Sequence, residues 1–358
     1  MRTALLTSTL LFAACTEPPP ASTPQPEPAA PVGTASLAVC AAGDGVLGED
    51  WAVDNGHGAV SALSVGPTGS AALAGADSTV KLWDVASGAL AWTSGEPAGA
   101  GYGSEFAGGT QGPLTELAFD ASGSALLGGD AFGTVAVFAP ESGLLLASWL
   151  AGTQAVTGVA SAYDSALVVT STAAFGGELS VWSASGELQV GPLDTELWGV
   201  DALLADPTAE QIIAIGHDYG EPAIEVRSAA FPTAVLANVT LSGTTATFRA
   251  AAPLGDGFVL AGGDDVLALI DWMAEPGAQV RAQVVVAGGG IVSVHALDDE
   301  HFAAATADGR VLLGTIDDLA ITAELAVGAI AGLSVVPGGW QLVITGDDGV
   351  LRLLGCEG

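Results

Sequence analysis

The side chains best able to do chemistry in this chain are four histidines, three cysteines and several paired carboxylates. His57, His217, His295 and His301 never fall into H-x-x-H or HExxH spacing, and there is no C-x-x-C, so zinc-ligating residue types are present without a zinc arrangement. Asp264-Asp265, Asp298-Asp299-Glu300, Asp317-Asp318 and Asp347-Asp348 lack the alternating oxygen spacing of a calcium loop and read as solvated turns. No G-x-S-x-G elbow occurs. Gly99 to Gly112 (GAGYGSEFAGGTQG) is glycine-rich, but it has no lysine and opens no helix, so it fails as a phosphate loop. It reads as a long surface loop on which Tyr102 and Phe106 can touch a partner. No catalytic, cofactor-binding or metal-ligating residue is nominated. The expectation is a non-enzyme without a cofactor.

Charge narrows the partners. The formal net charge is −33, and Lys81 is the sole lysine. Nucleic-acid binding rests on Lys and Arg neutralising phosphates, so nucleic acid is excluded as a partner. Adsorption to anionic lipid is excluded on the same ground. What remains is solubility, a salty habitat, or a basic partner.

The elements that must position any site are short strands. Gly56 to Gly88 (GHGAVSALSVGPTGSAALAGADSTVKLWDVASG) holds three small-apolar runs, and Ala89 to Thr93 adds a fourth. Gly66-Pro67-Thr68-Gly69, Ala76-Asp77-Ser78 and Ser87-Gly88 are turn clusters. Four strands of about five residues with tight turns make an antiparallel meander. With so little polar alternation, the sheet must be covered on both faces, which calls for stacking on similar sheets. No helix is expected, because glycine and turn clusters interrupt every window before a helical period builds.

Gly56-His57, the Gly66–Gly69 turn, Asp77 and Leu82-Trp83-Asp84 resemble one WD40 repeat, the four-stranded blade of a β-propeller. The resemblance implies that His57, Asp77 and Trp83 belong to a structural hydrogen-bond network inside the blade, whose strand-b hydroxyl has no clear counterpart here. The b–c turn and strand c recur every 40–50 residues or so, at Gly128–Phe138, Gly176–Trp182, Gly216–Val226, Gly262–Leu269, Ala307–Leu313 and Gly346–Leu353. The reading is all-β: a seven-bladed propeller of four-stranded antiparallel blades, one domain over residues 34–358. The seventh copy stops at strand c. An N-terminal segment, Ala35 to Cys40 or that around Trp51-Ala52-Val53, is expected to supply the missing strand and close the ring.

Residues 1–14 are read as a signal peptide, with Arg2 at its positive end and an apolar stretch too short to span a bilayer. Phe12-Ala13-Ala14-Cys15 resembles the lipobox of bacterial lipoproteins, which implies lipid attachment at Cys15 and, with Thr16 following, delivery to the outer membrane. Residues 15–33 are Pro-rich without apolar periodicity and read as a disordered spacer. In an exported protein the remaining Cys40 and Cys356 are expected to form a disulfide.

These features point to a monomeric lipoprotein of the cell envelope, on the periplasmic face or the cell surface. Its WD40-like propeller would serve as a scaffold for an envelope protein partner of unknown identity. The alternative is a quinoprotein-like propeller, either an outer-membrane assembly factor or a cofactor-dependent dehydrogenase. Trp83-Asp84-Val85-Ala86-Ser87-Gly88-Ala89-Leu90-Ala91-Trp92 resembles the blade repeat of that class.

Overall fold

Among the described residues, short apolar runs closed by glycine-rich turns fold into 28 strands in seven separate sheets. The computed structural model describes residues 37–43, 45–94, 112–162, 167–173, 177–206, 210–241, 247–275, 279–338 and 341–357. Cys15, the spacer, and Tyr102 and Phe106 lie outside them.

The first strand, β1 (Val46–Asp54), is set aside until the ring closes. Blade one is β2 (Val60–Val65), β3 (Ser70–Gly75), β4 (Val80–Asp84) and β5 (Ala89–Thr93). Blade two is β6 (Leu114–Phe119), β7 (Leu126–Asp130), β8 (Thr134–Phe138) and β9 (Leu145–Leu150). Blade three is β10 (Val156–Ala162), β11 (Leu167–Thr172), β12 (Glu178–Ser183) and β13 (Leu188–Asp194). Blade four is β14 (Gly199–Asp206), β15 (Gln211–Asp218), β16 (Glu221–Ser228) and β17 (Val235–Thr240). Blade five is β18 (Phe248–Gly255), β19 (Phe258–Gly263), β20 (Val266–Asp271) and β21 (Val280–Val285). Blade six is β22 (Ile291–Ala296), β23 (His301–Thr306), β24 (Arg310–Thr315) and β25 (Ile321–Ala326). Blade seven is β26 (Ile330–Val335), β27 (Gln341–Gly346) and β28 (Val350–Glu357), with β1 as its outermost strand.

The apolar residues make seven buried clusters, each drawing on two adjacent blades. Within β3 the assignment alternates, as a period of two requires. Ala71 and Leu73 pack with blade seven, while Ala72 and Ala74 pack with blade two. Burial on both faces explains why the strands lack a polar side. Glycine ends β19 for a backbone reason: a Cβ on Gly263 would lie 1.7 Å from the Thr247 carbonyl oxygen, where the chain enters the paired strand of the same blade.

Ring closure follows β1, which pairs antiparallel with β28 from Val46 opposite Glu357 to Asp54 opposite Val350. Of the two segments expected to close the ring, only the one around Trp51 does so. Leu37–Ala41, in the other segment, is a five-residue helix, α1, although no helix was expected. One turn is too short to leave an apolar period. Leu37, Cys40 and Ala41 are fully buried in the cluster shared by blades six and seven. Cys40 is disulfide-bonded to Cys356 at the end of β28. This link ties the wedge to the strand that β1 covers.

Candidate functional site

In each blade the first residues of the innermost strand lie opposite the end of the second strand. Val60 faces Gly75, Leu114 faces Asp130, and Ile330 faces Gly346. The b–c turns and the connections between blades therefore share one end of the ring. The innermost strands of all seven blades line a central cavity of about 500 Å³.

Every one of those strands carries a β-bulge at the same place. The register shifts between Val60 and Ala62, Leu114 and Glu116, Val156 and Gly158, Val200 and Ala202, Phe248 and Ala250, Ile291 and Ser293, and Ile330 and Gly332. A bulge adds an unpaired residue and re-aims the side chains around it. The extra residues are Ser61, Thr115, Thr157, Asp201, Arg249, Val292 and Ala331. Ser61 Oγ donates to Leu114 O at 2.6 Å and Thr115 Oγ1 to Val156 O at 2.7 Å, stitching one blade to the next. In blades four and five the bulge holds a charge instead. Asp201 lies 3.5 Å from His217 Nδ1, and Arg249 pairs with Asp264 at 3.2 Å.

One residue further along, the seven positions are Ala62, Glu116, Gly158, Ala202, Ala250, Ser293 and Gly332. Glu116 is the only long side chain at that level. It is tightly enclosed and keeps a small part of its surface on the cavity; no hydrogen bond or ion pair reaches its carboxyl among the described residues. Burial alone pushes the carboxyl up to about 8. Two positions on in blade six, burial lowers the pKa of His295, which donates from Nε2 to Leu333 O at 2.8 Å.

The histidines do not converge. His57 sits at the start of blade one with Nδ1 2.9 Å from Asp77, whose carboxylate also accepts from the Thr79 amide and hydroxyl. Gly75 makes this possible, since a Cβ there would lie 2.4 Å from His57 Nδ1. Burial lowers the pKa of His57 against the opposing pull of Asp77. Burial raises that of Asp77, but the bonds from Thr79 and His57 outweigh it and the net shift is downward. Trp83 does not join this network: its indole N–H is buried without an acceptor. In blade three the equivalent Trp182 Nε1 donates to Thr170 Oγ1 at 3.0 Å. The register puts Leu73 at that place in blade one, so the strand-b hydroxyl the tetrad needs is missing.

The acidic pairs serve local structure. Asp298 accepts from the amides of Glu300 and His301, Asp318 from Thr315 and Ala320, and Asp348 pairs with Arg352. Among the described residues no three His, Cys, Asp or Glu side chains come together as a metal site.

Sequence reasoning missed the bulges, Glu116 and an aromatic pair at the blade-joining end. Trp198, just before β14, packs against Tyr219 with ring centroids 4.6 Å apart and the planes tilted by 47°. Their exposures are 41% and 79%, and Phe132, in the corresponding turn of blade two, is 55% exposed. Tyr219 has φ of +47°, in a two-residue hairpin turn with Gly220. Asn or Gly is the usual occupant of such a turn, and a bulky residue there is strained by about 1 kcal/mol.

No family model matches the chain, and no curated protein matches it. Among solved structures the chain is similar to one described as the structure of U3-55K, at 18% identity and TM-score 0.70, covering 83% of this chain and 95% of that one. It is also similar to the crystal structure of RRP9 WD40 repeats, at 17% identity and TM-score 0.70, covering 83% and 94%. At such identities the likeness establishes the fold, a seven-bladed WD40-like propeller.

Proposed function

We propose that this chain is a lipid-anchored protein of the bacterial envelope whose propeller is a non-catalytic scaffold for an envelope protein partner. The observation that carries the scaffold reading is the exposed, mutually packed Trp198–Tyr219 pair at the blade-joining end, with Phe132 on the same end. Exposed aromatics are what interfaces use as anchors. A turn that keeps a strained tyrosine is consistent with selection for binding rather than stability. Anchoring rests on residues 1–15 of the sequence, with Cys15 as the lipidated residue. The quinoprotein-like enzyme would need cationic and metal-liganding groups around the cavity. Arg249 is the one cation among the described lining residues, and it pairs with Asp264.

The test is in-cell crosslinking of the full-length protein. A stoichiometric envelope protein should co-purify with the wild type and be lost in the double variant Trp198→Ala, Tyr219→Ala. Cys15→Ser should release the protein from the membrane fraction. A partnerless wild type, or turnover of a small substrate in purified protein, would overturn the scaffold reading.

A further inference from the structure

The most unusual group in the ring is the Glu116 carboxyl. It is enclosed at the register level where the other blades place Ala62, Gly158, Ala202, Ala250, Ser293 and Gly332, and it has no partner among the described residues. A buried polar group without a partner is costly, and a buried charge far more so. Glu116 lines the central cavity, whose volume of about 500 Å³ lies within the usual size of small-molecule pockets.

We propose that the central cavity is a binding site for an organic cation, a protonated amine or guanidinium head group held against the Glu116 carboxylate. A divalent metal is disfavoured: calcium needs six to eight oxygens, and no three ligating side chains converge among the described residues. The other charged groups facing the cavity do not compete. Asp201 lies beside His217 at the mouth, Arg249 pairs with Asp264, and His295 is buried against Leu333 O. The flanking strands β2 and β10 bring no titratable side chain to the cavity. Asp130, at the end of β7 behind Glu116, accepts the amides of Gly112, Phe132 and Thr134.

Binding is linked to protons. The empty site holds Glu116 protonated at neutral pH, since its carboxyl is raised to about 8. A cation takes only the ionised form, so binding near pH 7 expels close to one proton. Affinity should rise about tenfold from pH 6 to pH 7, about tenfold more by pH 9, and then level off. This holds whether or not Trp198 and Tyr219 dock a protein, so the crosslinking result leaves it untouched.

The experiment is titration calorimetry of the full-length protein with n-butylammonium, n-butylguanidinium and neutral 1-pentanol, between pH 6 and 9. Heats in two buffers of different ionisation enthalpy count the protons released. The expected result is binding of at least one cation with that pH dependence, absence of pentanol binding, and loss of binding in Glu116→Gln. Glu116→Asp should bind more weakly but keep the pH dependence, which separates lost charge from lost fold. Nα-acetyl-lysine methylamide binding as tightly as butylammonium would identify a partner's lysine side chain as the source; its exclusion would identify a free amine. Absence of cation binding at pH 9, equal binding of pentanol, or unchanged binding in Glu116→Gln would each overturn the proposal.

Discussion

Replacing Glu116 by Gln should make this protein more stable, and the gain should depend on pH in a defined way. The carboxyl titrates near 4.5 in an ordinary setting and is raised to about 8 in the fold by burial alone. Below pH 4.5 it is protonated in both states and costs nothing. Between 4.5 and about 8 the unfolded chain ionises it while the native ring does not, so unfolding becomes easier as pH rises. Above 8 the penalty is constant. Each pH unit across that window is worth about 1.4 kcal/mol. Three and a half units give an upper bound of about 5 kcal/mol; because the side chain keeps some contact with the cavity, about 2–5 kcal/mol is expected. The assay is equilibrium urea unfolding of wild type and Glu116→Gln at pH 4, 6 and 8. The other carboxylates are common to both proteins, so the difference between the curves isolates this residue. The two should coincide at pH 4 and diverge by pH 8, with the variant more stable. Parallel curves from pH 4 to pH 8 would refute the reasoning.

The remaining predictions concern other parts of the ring. Glu225 and Arg227 form a buried ion pair on β16, with Arg227 Nε 2.5 Å from Glu225 Oε1 and its other donors on Pro232 O and Asp194 O. Glu225→Leu strands that charge and should cost about 3–5 kcal/mol in urea unfolding, most of it recovered by adding Arg227→Met. Cys40→Ser opens a crosslink spanning 316 residues of sequence and should lower stability by about 2–5 kcal/mol. The same loss is expected in reduced wild type, and none in the reduced variant. Tyr219→Asn relieves a positive φ and should leave stability unchanged or raised by up to about 1 kcal/mol, while crosslinking to the partner falls.

The fold was legible because its cause is local and repeated. Turn clusters at Ala76–Ser78, Asp130–Gly133 and Asp347–Gly349 occupy the same place in their blades and punctuate apolar runs, and each run is apolar on both faces because each blade is covered twice. The candidate site was not legible because nothing local marks it. Glu116 sits in Leu114-Thr115-Glu116-Leu117, where nothing local distinguishes it from any other carboxylate on a short strand. Only the bulge at Thr115, and the closing of seven innermost strands around one cavity, make it an enclosed cavity residue. For Trp83 the sequence already lacked a clear strand-b hydroxyl, and the register shows that Leu73 stands where one would accept its indole N–H.

The charge of −33 acquires a structural meaning from where the few cations go. Among the described residues, Arg227, Arg249, Arg281, Arg310 and Arg352 each pair with a carboxylate, and Lys81 donates to the Asn55 carbonyl. All five arginine pairs join residues of a single blade, two to fifteen positions apart, and all but the buried Glu225–Arg227 pair are partly exposed, where a pair contributes at most about 1 kcal/mol. Their larger effect is to leave the described surface without an unengaged cation. A net charge of −33 disfavours phosphates and anionic lipid as partners. It attracts positively charged species, and Glu116 gives such a species one carboxylate on the central cavity to end against.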